Sequence, residues 1–378
     1  EWWEPYADIL TVVGYGNHEC YREDTEVLTI GGWKNIKDIS TDDFVAVFDD
    51  TNIYYENPNA IVSKQADKLV HLEGTFSKQV VSAKHAVMYD DMRKVNAEDI
   101  ICMKDKDLPH GRKFVYQSEE ENKMIELITA VVMDATIVDH SKYNESSKKK
   151  RIQFKISKPE KIEYLKNILD NCGISYTFKE ATKSGLNKLQ PYYIRIYGDD
   201  AKKIFAILNG VKQLPQDYSK LTGVNFKLLI EAIKNTDGHQ SDNNTIQWNT
   251  ISKHDVDVVQ EACVLNGYHF VYTEKDNGSG FVNGKRQYRC KISKDIVKSR
   301  SVKITHEEYN GLVYCLNMPS GCFITRVDGK VAFSGNTGVI KWQETDILQR
   351  FVDLLNLKTG SSVQTGGYGG WLILKVGN

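Results

Sequence analysis

Hydrophobic and polar positions change their period twice along the chain. From residue 20 to residue 115 apolar residues fall in short runs, such as Glu26–Ile30, Phe44–Phe48 and Gln79–Ser82, broken by Gly-Gly, Asp-Asp and Asn-Pro turn signals. Runs this short between turn formers predict strands, so the region reads as all-β. Between residues 118 and 237 the period lengthens to that of helices, over Glu119–Met133, Lys161–Asn171, Ala201–Leu208 and Phe226–Lys234, with lysine-rich strands between them. Residues 302–336 return to short strands around Pro319-Ser320-Gly321 and Asp328-Gly329. The pattern therefore predicts a β domain interrupted by an α/β domain. Ahead of it, Ile9–Val13 reads as a buried strand running into a glycine-bearing loop, Gly14–Glu19.

The interrupting segment repeats itself. Ile152-Gln153-Phe154 recurs as Ile246-Gln247-Trp248, and Ser157-Lys158 recurs as Ser252-Lys253, each followed by a helix that ends at Gly173 or Gly267. Tyr192–Asp200 matches Tyr288–Asp295 with hydrophobic and basic positions in phase. Two copies of one unit predict a pseudo-two-fold domain, a symmetry that suits duplex DNA. The repeat alone does not separate that reading from a duplication with no DNA role. The formal net charge of -1 over 378 residues means that a DNA-binding surface has to be a local concentration of Lys and Arg. Seven cysteines, odd in number and never in a CxxC pair, argue against a disulfide framework or a structural zinc site and favour a reducing cytoplasm. No apolar stretch reaches the ~18–20 residues of a membrane span, and no signal segment opens the chain. The expectation is a cytoplasmic monomer without a membrane partner.

Cys20 opens the β region and Asn336-Thr337 closes it. Between them, in order, stand Gly74, Ser82-Ala83-Lys84-His85, Val313-Tyr314-Cys315-Leu316, Pro319-Ser320-Gly321, Asp328-Gly329 and Ser334-Gly335. This ordered set resembles the splicing blocks of inteins. The resemblance implies an all-β, horseshoe-like HINT splicing domain formed by residues 20–117 and 301–336. Residues 118–300 would be the insert, and residues 1–19 and 337–378 would be flanking pieces of a host protein, the exteins.

The chemistry accounts for the residue types. An amide is a poor acyl donor, so the Cys20 thiol would attack the Glu19 carbonyl and turn that peptide bond into a thioester. His85 is the expected acid/base group and Ser82 the expected hydrogen-bond donor that polarises the scissile peptide. The Thr337 hydroxyl would then take the acyl group, Asn336 would cyclise and cut the chain, and an O–N shift would join Glu19 to Thr337. Neither cofactor nor ATP is required. Cys315 falls where the family places a residue that assists the transfer. Two departures stand out: Ser82 replaces the usual Thr, and Gly335 replaces the usual His before the terminal Asn. A missing general acid costs ~10²–10⁴-fold, so Gly335→His is expected to speed cyclisation.

Within the insert, Leu127–Ala135 and Ile230–Gly238 resemble the paired helices of LAGLIDADG homing endonucleases, the second copy more clearly than the first. Small residues Thr129, Ala130 and Ala232 fall where the two helices would approach. Asp134 and Asp237 would then lie side by side and hold Mg²⁺ for double-strand cleavage of the host-gene insertion site. Val211-Lys212-Gln213-Leu214-Pro215 matches the Lys-x-x-Pro block that precedes the second helix in such enzymes, which makes Lys212 the candidate for stabilising charge at the scissile phosphate. The strands Arg151–Ile156, Tyr192–Tyr197 and Arg286–Ile292 alternate basic or polar with apolar residues, as groove-reading sheets do, and Lys148–Arg151 reads as a phosphate contact.

The flanks carry one further resemblance. Gly16-Asn17-His18-Glu19 after a buried strand resembles the GNH(D/E) motif of calcineurin-like metallophosphoesterases, which implies Asn17 as a metal ligand and His18 as a phosphate-directed group. Thr345–Leu357 would supply a helix and Trp371–Val376 a strand of that host. Three competitors to the whole reading are a splicing element with a decayed endonuclease, a non-enzymatic DNA-binding protein, and a hedgehog-like autoprocessing domain. The Asn336-Thr337 pair, with sequence continuing beyond it, speaks against the last.

Overall fold

The computed structural model describes residues 20–109, 112–114, 120–139, 150–183, 189–241, 244–275, 287–294 and 300–335. Both flanks, and with them Asn17, His18, Glu19, Asn336 and Thr337, lie outside the described residues, as do Lys148 and Lys149.

A closed barrel joins the two sides of the insert. Its strands are Tyr21–Arg22, Lys303–Asn317, Ala60–Glu73 and Lys78–Ser82. Ala60–Glu73 and Lys303–Asn317 run antiparallel over nearly their whole length, with one irregularity between Glu308 and Gly311. Apolar side chains of these strands and their neighbours, among them Tyr21, Val70, Val81, Leu316 and Phe323, fill one core. Cys20, Leu69, Val80, Val313 and Cys315 form a smaller cluster. The long strands, rather than the short ones of the sequence pattern, arise because their outer halves alternate polar and exposed residues that show no apolar run.

Among the described residues, five long helices lie within the expected insert: α1 (Lys123–Asp134), α2 (Pro159–Asn171), α3 (Gly198–Ile207), α4 (Gly223–Asn235) and α5 (Lys253–Leu265). Helix α1 starts at Lys123 rather than Glu119 because the Asn122 side chain accepts from Met124 N and caps it. Pro159 sits in the first turn of α2, where its missing N–H costs nothing. Helices α1 and α4 pack on each other, and Thr129, Ala130 and Ala232 are fully buried. Asn225 ties their first turns together, accepting from Asn122 N at 2.9 Å and donating to Glu120 O at 3.1 Å.

After α1 the strand order is Thr136–Asp139, Lys150–Ile156, Tyr192–Ile196, Tyr176–Glu180. After α4 the order His239–Gln240, Ile246–Thr250, Gln287–Ser293, His269–Lys275 repeats it strand for strand. On the first sheet Ile152, Phe154, Ile194 and Ile196 turn inward, while Gln153, Lys155, Tyr193 and Arg195 turn outward. Trp248, Cys290 and Ile292 turn inward on the second, opposite Gln247, Asn249, Arg289 and Lys291. This two-residue period is what one apolar and one polar face require.

The second sheet does not end at the insert. His269–Lys275 pairs with Lys330–Gly335 at Val271 and Lys330, so both regions share one continuous sheet. Tyr272 N donates to Gly329 O at 3.3 Å. Gly329 has φ +74°, and a Cβ there would lie 2.5 Å from the Tyr272 carbonyl oxygen, so this approach needs glycine. Arg326, with no exposed surface, donates to both Glu26 oxygens at 2.6 Å, to Asp257 at 2.5 Å and to Gln260 Oε1 at 2.8 Å. Lys220 pairs with the buried Glu261 and reaches Tyr55 Oη at 3.2 Å. Helix α5 serves both cores: Val256, Val259 and Ala262 pack into the insert, Val264 and Leu265 into the β region. Among the described residues no helix is long and apolar enough to cross a membrane.

Candidate functional site

Antiparallel pairing of Tyr21 with Tyr314 sets Cys20 opposite Cys315, and the two are joined by a disulfide across 295 residues with Cα atoms 4.5 Å apart. The scattered, odd-numbered cysteines argue against a disulfide framework, and the structure corrects that expectation for this pair: what joins it is strand register, which spacing does not reveal. Both residues are buried, so in this form Cys20 is not a free nucleophile.

Cys20 N–H donates to Ser82 Oγ at 3.2 Å, and Ser82 N–H donates to Cys20 O at 2.8 Å. The Ser82 hydroxyl oxygen thus holds the amide as an acceptor, whereas sequence reasoning cast it as a donor. His85 follows in a turn, its N–H bonded to Ser82 O at 2.9 Å. It is wholly buried, and desolvation, followed by the charge of Lys94, pushes its pKa down to about 3. The imidazole is therefore neutral near pH 7. Its Nε2 lies 3.2 Å from Ser334 Oγ and 3.4 Å from Tyr21 Oη, while Nδ1 has no hydrogen-bond partner among the described residues.

Tyr21 was not singled out from the sequence, since a strand tyrosine carries no signal of its own, and Ser334 entered only as a neighbour of Gly335 with no role. Tyr21 Oη lies 2.6 Å from Ser334 Oγ and 3.0 Å from the Gly335 carbonyl oxygen, which can only accept. Ser334 Oγ donates to Gln79 Oε1 at 2.8 Å. The residues beside the two ends of the expected splicing element thus meet around His85. Gly335 packs tightly: a Cβ there would stand 2.6 Å from the Ala86 carbonyl oxygen.

A second cluster lies at the ends of α1 and α4. Asp134 closes α1 and pairs with Lys161 of α2 at 2.7 Å, close enough for an ion pair but poorly aligned for a hydrogen bond. Asp237 follows the cap of α4, where Gly238 N–H reaches back to Ile233 O at 2.8 Å. A Cβ at Gly238 would sit 2.6 Å from that oxygen, so the turn requires glycine. The first copy carries Ala135 instead, and its N–H makes an ordinary helical bond to Val131 O.

Desolvation and then the Asp134 charge raise the Asp237 pKa to about 6, against the pull of Lys161 and Lys212. Desolvation lowers Lys212 in turn, opposed by Asp237, Asp134 and Asp255. Asp237 and Lys212 are open to solvent on one side, so water screens part of these interactions. Two contacts from α5 fix the Lys212 loop: Asp255 Oδ1 accepts from Leu214 N at 2.8 Å, and His254 Nε2 donates to Leu214 O at 2.8 Å. The structure thus brings Asp134, Asp237 and Lys212 into mutual electrostatic reach and adds Lys161. Sequence reasoning missed Lys161 because its counterpart in the repeat is Val256, so self-comparison gave it no weight. Among the described residues no three Asp, Glu, His or Cys groups converge as a metal site.

No family model matches the chain. The chain is similar to the β subunit of ribonucleoside-diphosphate reductase from Aquifex aeolicus (strain VF5), with 21% identity over 360 residues, covering 85% of this chain and 50% of that protein. It therefore spans half the length of the curated relative it matches. Among solved structures, the AceL NrdHF class 3 split intein in a GSH-linked, splice-inactive form aligns over 84% of this chain and 99% of its own, at 14% identity and a TM-score of 0.30. The homing endonuclease I-DmoI in complex with DNA and Mn aligns over 45% of this chain and 89% of its own, at 11% identity and a TM-score of 0.34. Likenesses this loose carry no argument, and the functional reading rests on the side chains. None of these neighbours is a metallophosphoesterase, so the comparisons do not support that reading of the flanks.

Proposed function

We propose that residues 20–336 are a self-splicing intein, with a HINT-type β domain and a pseudo-two-fold LAGLIDADG insert that cleaves DNA. The observation that carries the splicing reading is the meeting of Cys20, Tyr21, Ser82, His85, Ser334 and Gly335, because splicing needs both ends of the excised segment at one place.

With the disulfide reduced, the Cys20 sulfur bonds to the Glu19 carbonyl carbon and the Glu19–Cys20 C–N bond breaks. The thiol proton passes through neutral His85 to the departing nitrogen, which Ser82 holds. The Thr337 hydroxyl then displaces the thiolate, giving an ester that carries both flanks. Asn336 Nδ2 attacks its own carbonyl carbon, the bond to Thr337 N breaks, and the amine left on Thr337 takes the acyl group back from its own oxygen. Cys315 stands ready to exchange protons or disulfide with Cys20. Denaturing electrophoresis of the reduced protein tests this: a 20–336 fragment with a ligated flank product supports splicing, unligated pieces support autoprocessing, and an intact chain overturns both.

For the insert, the support is the raised pKa of Asp237 beside Asp134 with lysines close by. Two carboxylates that resist ionising together suit a divalent cation, which would supply water activation and leaving-group stabilisation when bound. Asp134 and Asp237 would hold it, Lys212 and Lys161 would face the phosphate, and outward Arg195, Lys155, Arg289 and Lys291 would meet duplex DNA. A nicking and cleavage assay on the uninterrupted host-gene site with Mg²⁺ or Mn²⁺ separates an active enzyme from a decayed one.

A further inference from the structure

We infer that Tyr21 is a positioning residue for Asn336 cyclisation and takes the place of the histidine that Gly335 replaces. The inference rests on the splicing reading above and adds a residue that the reading does not require.

Tyr21 is fully buried, and its ring packs against His85 and Phe323 with centroids 4.7 and 5.0 Å away. A ring held this way has its hydroxyl aimed. The Gly335 carbonyl, 3.0 Å off, belongs to the peptide bond that joins Gly335 to Asn336. Because that oxygen has no proton, Tyr21 is the donor. The Tyr21 hydroxyl is shared between the Gly335 carbonyl and Ser334 Oγ, and Ser334, which passes its own proton to Gln79 Oε1, also accepts from His85 when that ring carries its proton on Nε2.

Holding the Gly335 carbonyl holds the plane of the peptide that leads to residue 336, which limits how the chain can enter the cyclising residue. In the step itself the Nδ2–C bond forms, the Asn336–Thr337 C–N bond breaks, and the proton leaving Nδ2 goes to the Thr337 nitrogen. Tyr21 exchanges no atoms.

The test splits the two junctions. In a Cys20→Ala protein only release of the C-terminal flank is possible, and adding Tyr21→Phe removes the hydroxyl while keeping the ring. Loss of one aimed hydrogen bond is expected to slow that release about tenfold. In an Asn336→Ala protein, Tyr21→Phe should slow dithiothreitol-driven cleavage at Glu19 by clearly less than it slows release of the C-terminal flank, because there its hydroxyl only flanks His85. Ser334→Ala, which removes the second acceptor of the Tyr21 hydroxyl, should slow C-terminal release by less than Tyr21→Phe does. Release at the parental rate in Tyr21→Phe overturns the inference, as does equal slowing at both junctions with a lowered Tm, which marks a packing role. A parent that cleaves at neither junction overturns the splicing reading itself, and is distinguished by the behaviour of the otherwise unaltered reduced chain.

Discussion

Gly335→His is the substitution for which sequence and structure make opposite forecasts. From the sequence it restores an imidazole that inteins carry and should accelerate cyclisation. In the structure the added Cβ would stand 2.6 Å from the Ala86 carbonyl oxygen, well inside van der Waals contact, and 3.4 to 3.5 Å from Lys94 Cε and Met88 Cβ. The obstructing atom is backbone in the strand Ala86–Met88, which is paired with Lys94–Asn96 and cannot swing aside as a side-chain tip could. Gly335 is itself paired with Cys322, so its own strand is equally held. Forcing atoms into a packed site costs about 1–3 kcal/mol. A shift of Lys330–Gly335 to relieve the clash would carry the Gly335 carbonyl away from Tyr21. The expected result is a lowered Tm and slower release of the C-terminal flank, followed in the Cys20→Ala protein by mass spectrometry. Gly335→Ala should behave the same way, since the clash belongs to Cβ. Faster release in Gly335→His with an unchanged Tm would refute this account of the junction.

The phosphine reductant tris(2-carboxyethyl)phosphine should start cleavage at Glu19, and Cys315→Ser should make that step independent of reductant; equal rates with and without it in the parent would remove the disulfide from the pathway. Asp134→Asn or Asp237→Asn should abolish Mg²⁺-dependent DNA cleavage while splicing stays within about twofold, since each acts through its own cluster. Because the Asp237 pKa is raised, its contribution to stability is present below the ordinary carboxylate range and lost as pH rises through about 6. Mg²⁺, which binds the ionised form, should therefore raise the Tm increasingly over that same window, and a flat response to pH would contradict the paired-carboxylate site. Arg326→Ala leaves Glu26 and Asp257 facing an emptied buried site and should destabilise the chain by about 3 kcal/mol in denaturant titrations.

Much of this architecture is legible in the residues. The strand–helix–strand repeat shows in Ile152-Gln153-Phe154 and Ile246-Gln247-Trp248 because inward positions must be apolar in both copies. Asp134, Asp237 and Lys212 stand out through local motifs. What the sequence hides are relations between distant strands. The disulfide depends on Tyr21 lying opposite Tyr314, the tyrosine network on a side chain 314 residues from its acceptor, and the continuous sheet on one pairing between Val271 and Lys330. None of these leaves a periodic trace, since a register between remote segments is set by tertiary packing.

The shared sheet bears on how such an element can evolve. Clean excision of the insert would remove the pairing of Val271 with Lys330 and the bond from Tyr272 N–H to the Gly329 carbonyl. It would also take Asp257 and Gln260 from Arg326, and Val264 and Leu265 from the β core. A single base change at Asp134 or Asp237 asks nothing of that kind. Descendants of this gene under no selection for DNA cleavage should therefore keep the whole insert and lose its carboxylates, an inert lodger retained because the house now leans on it.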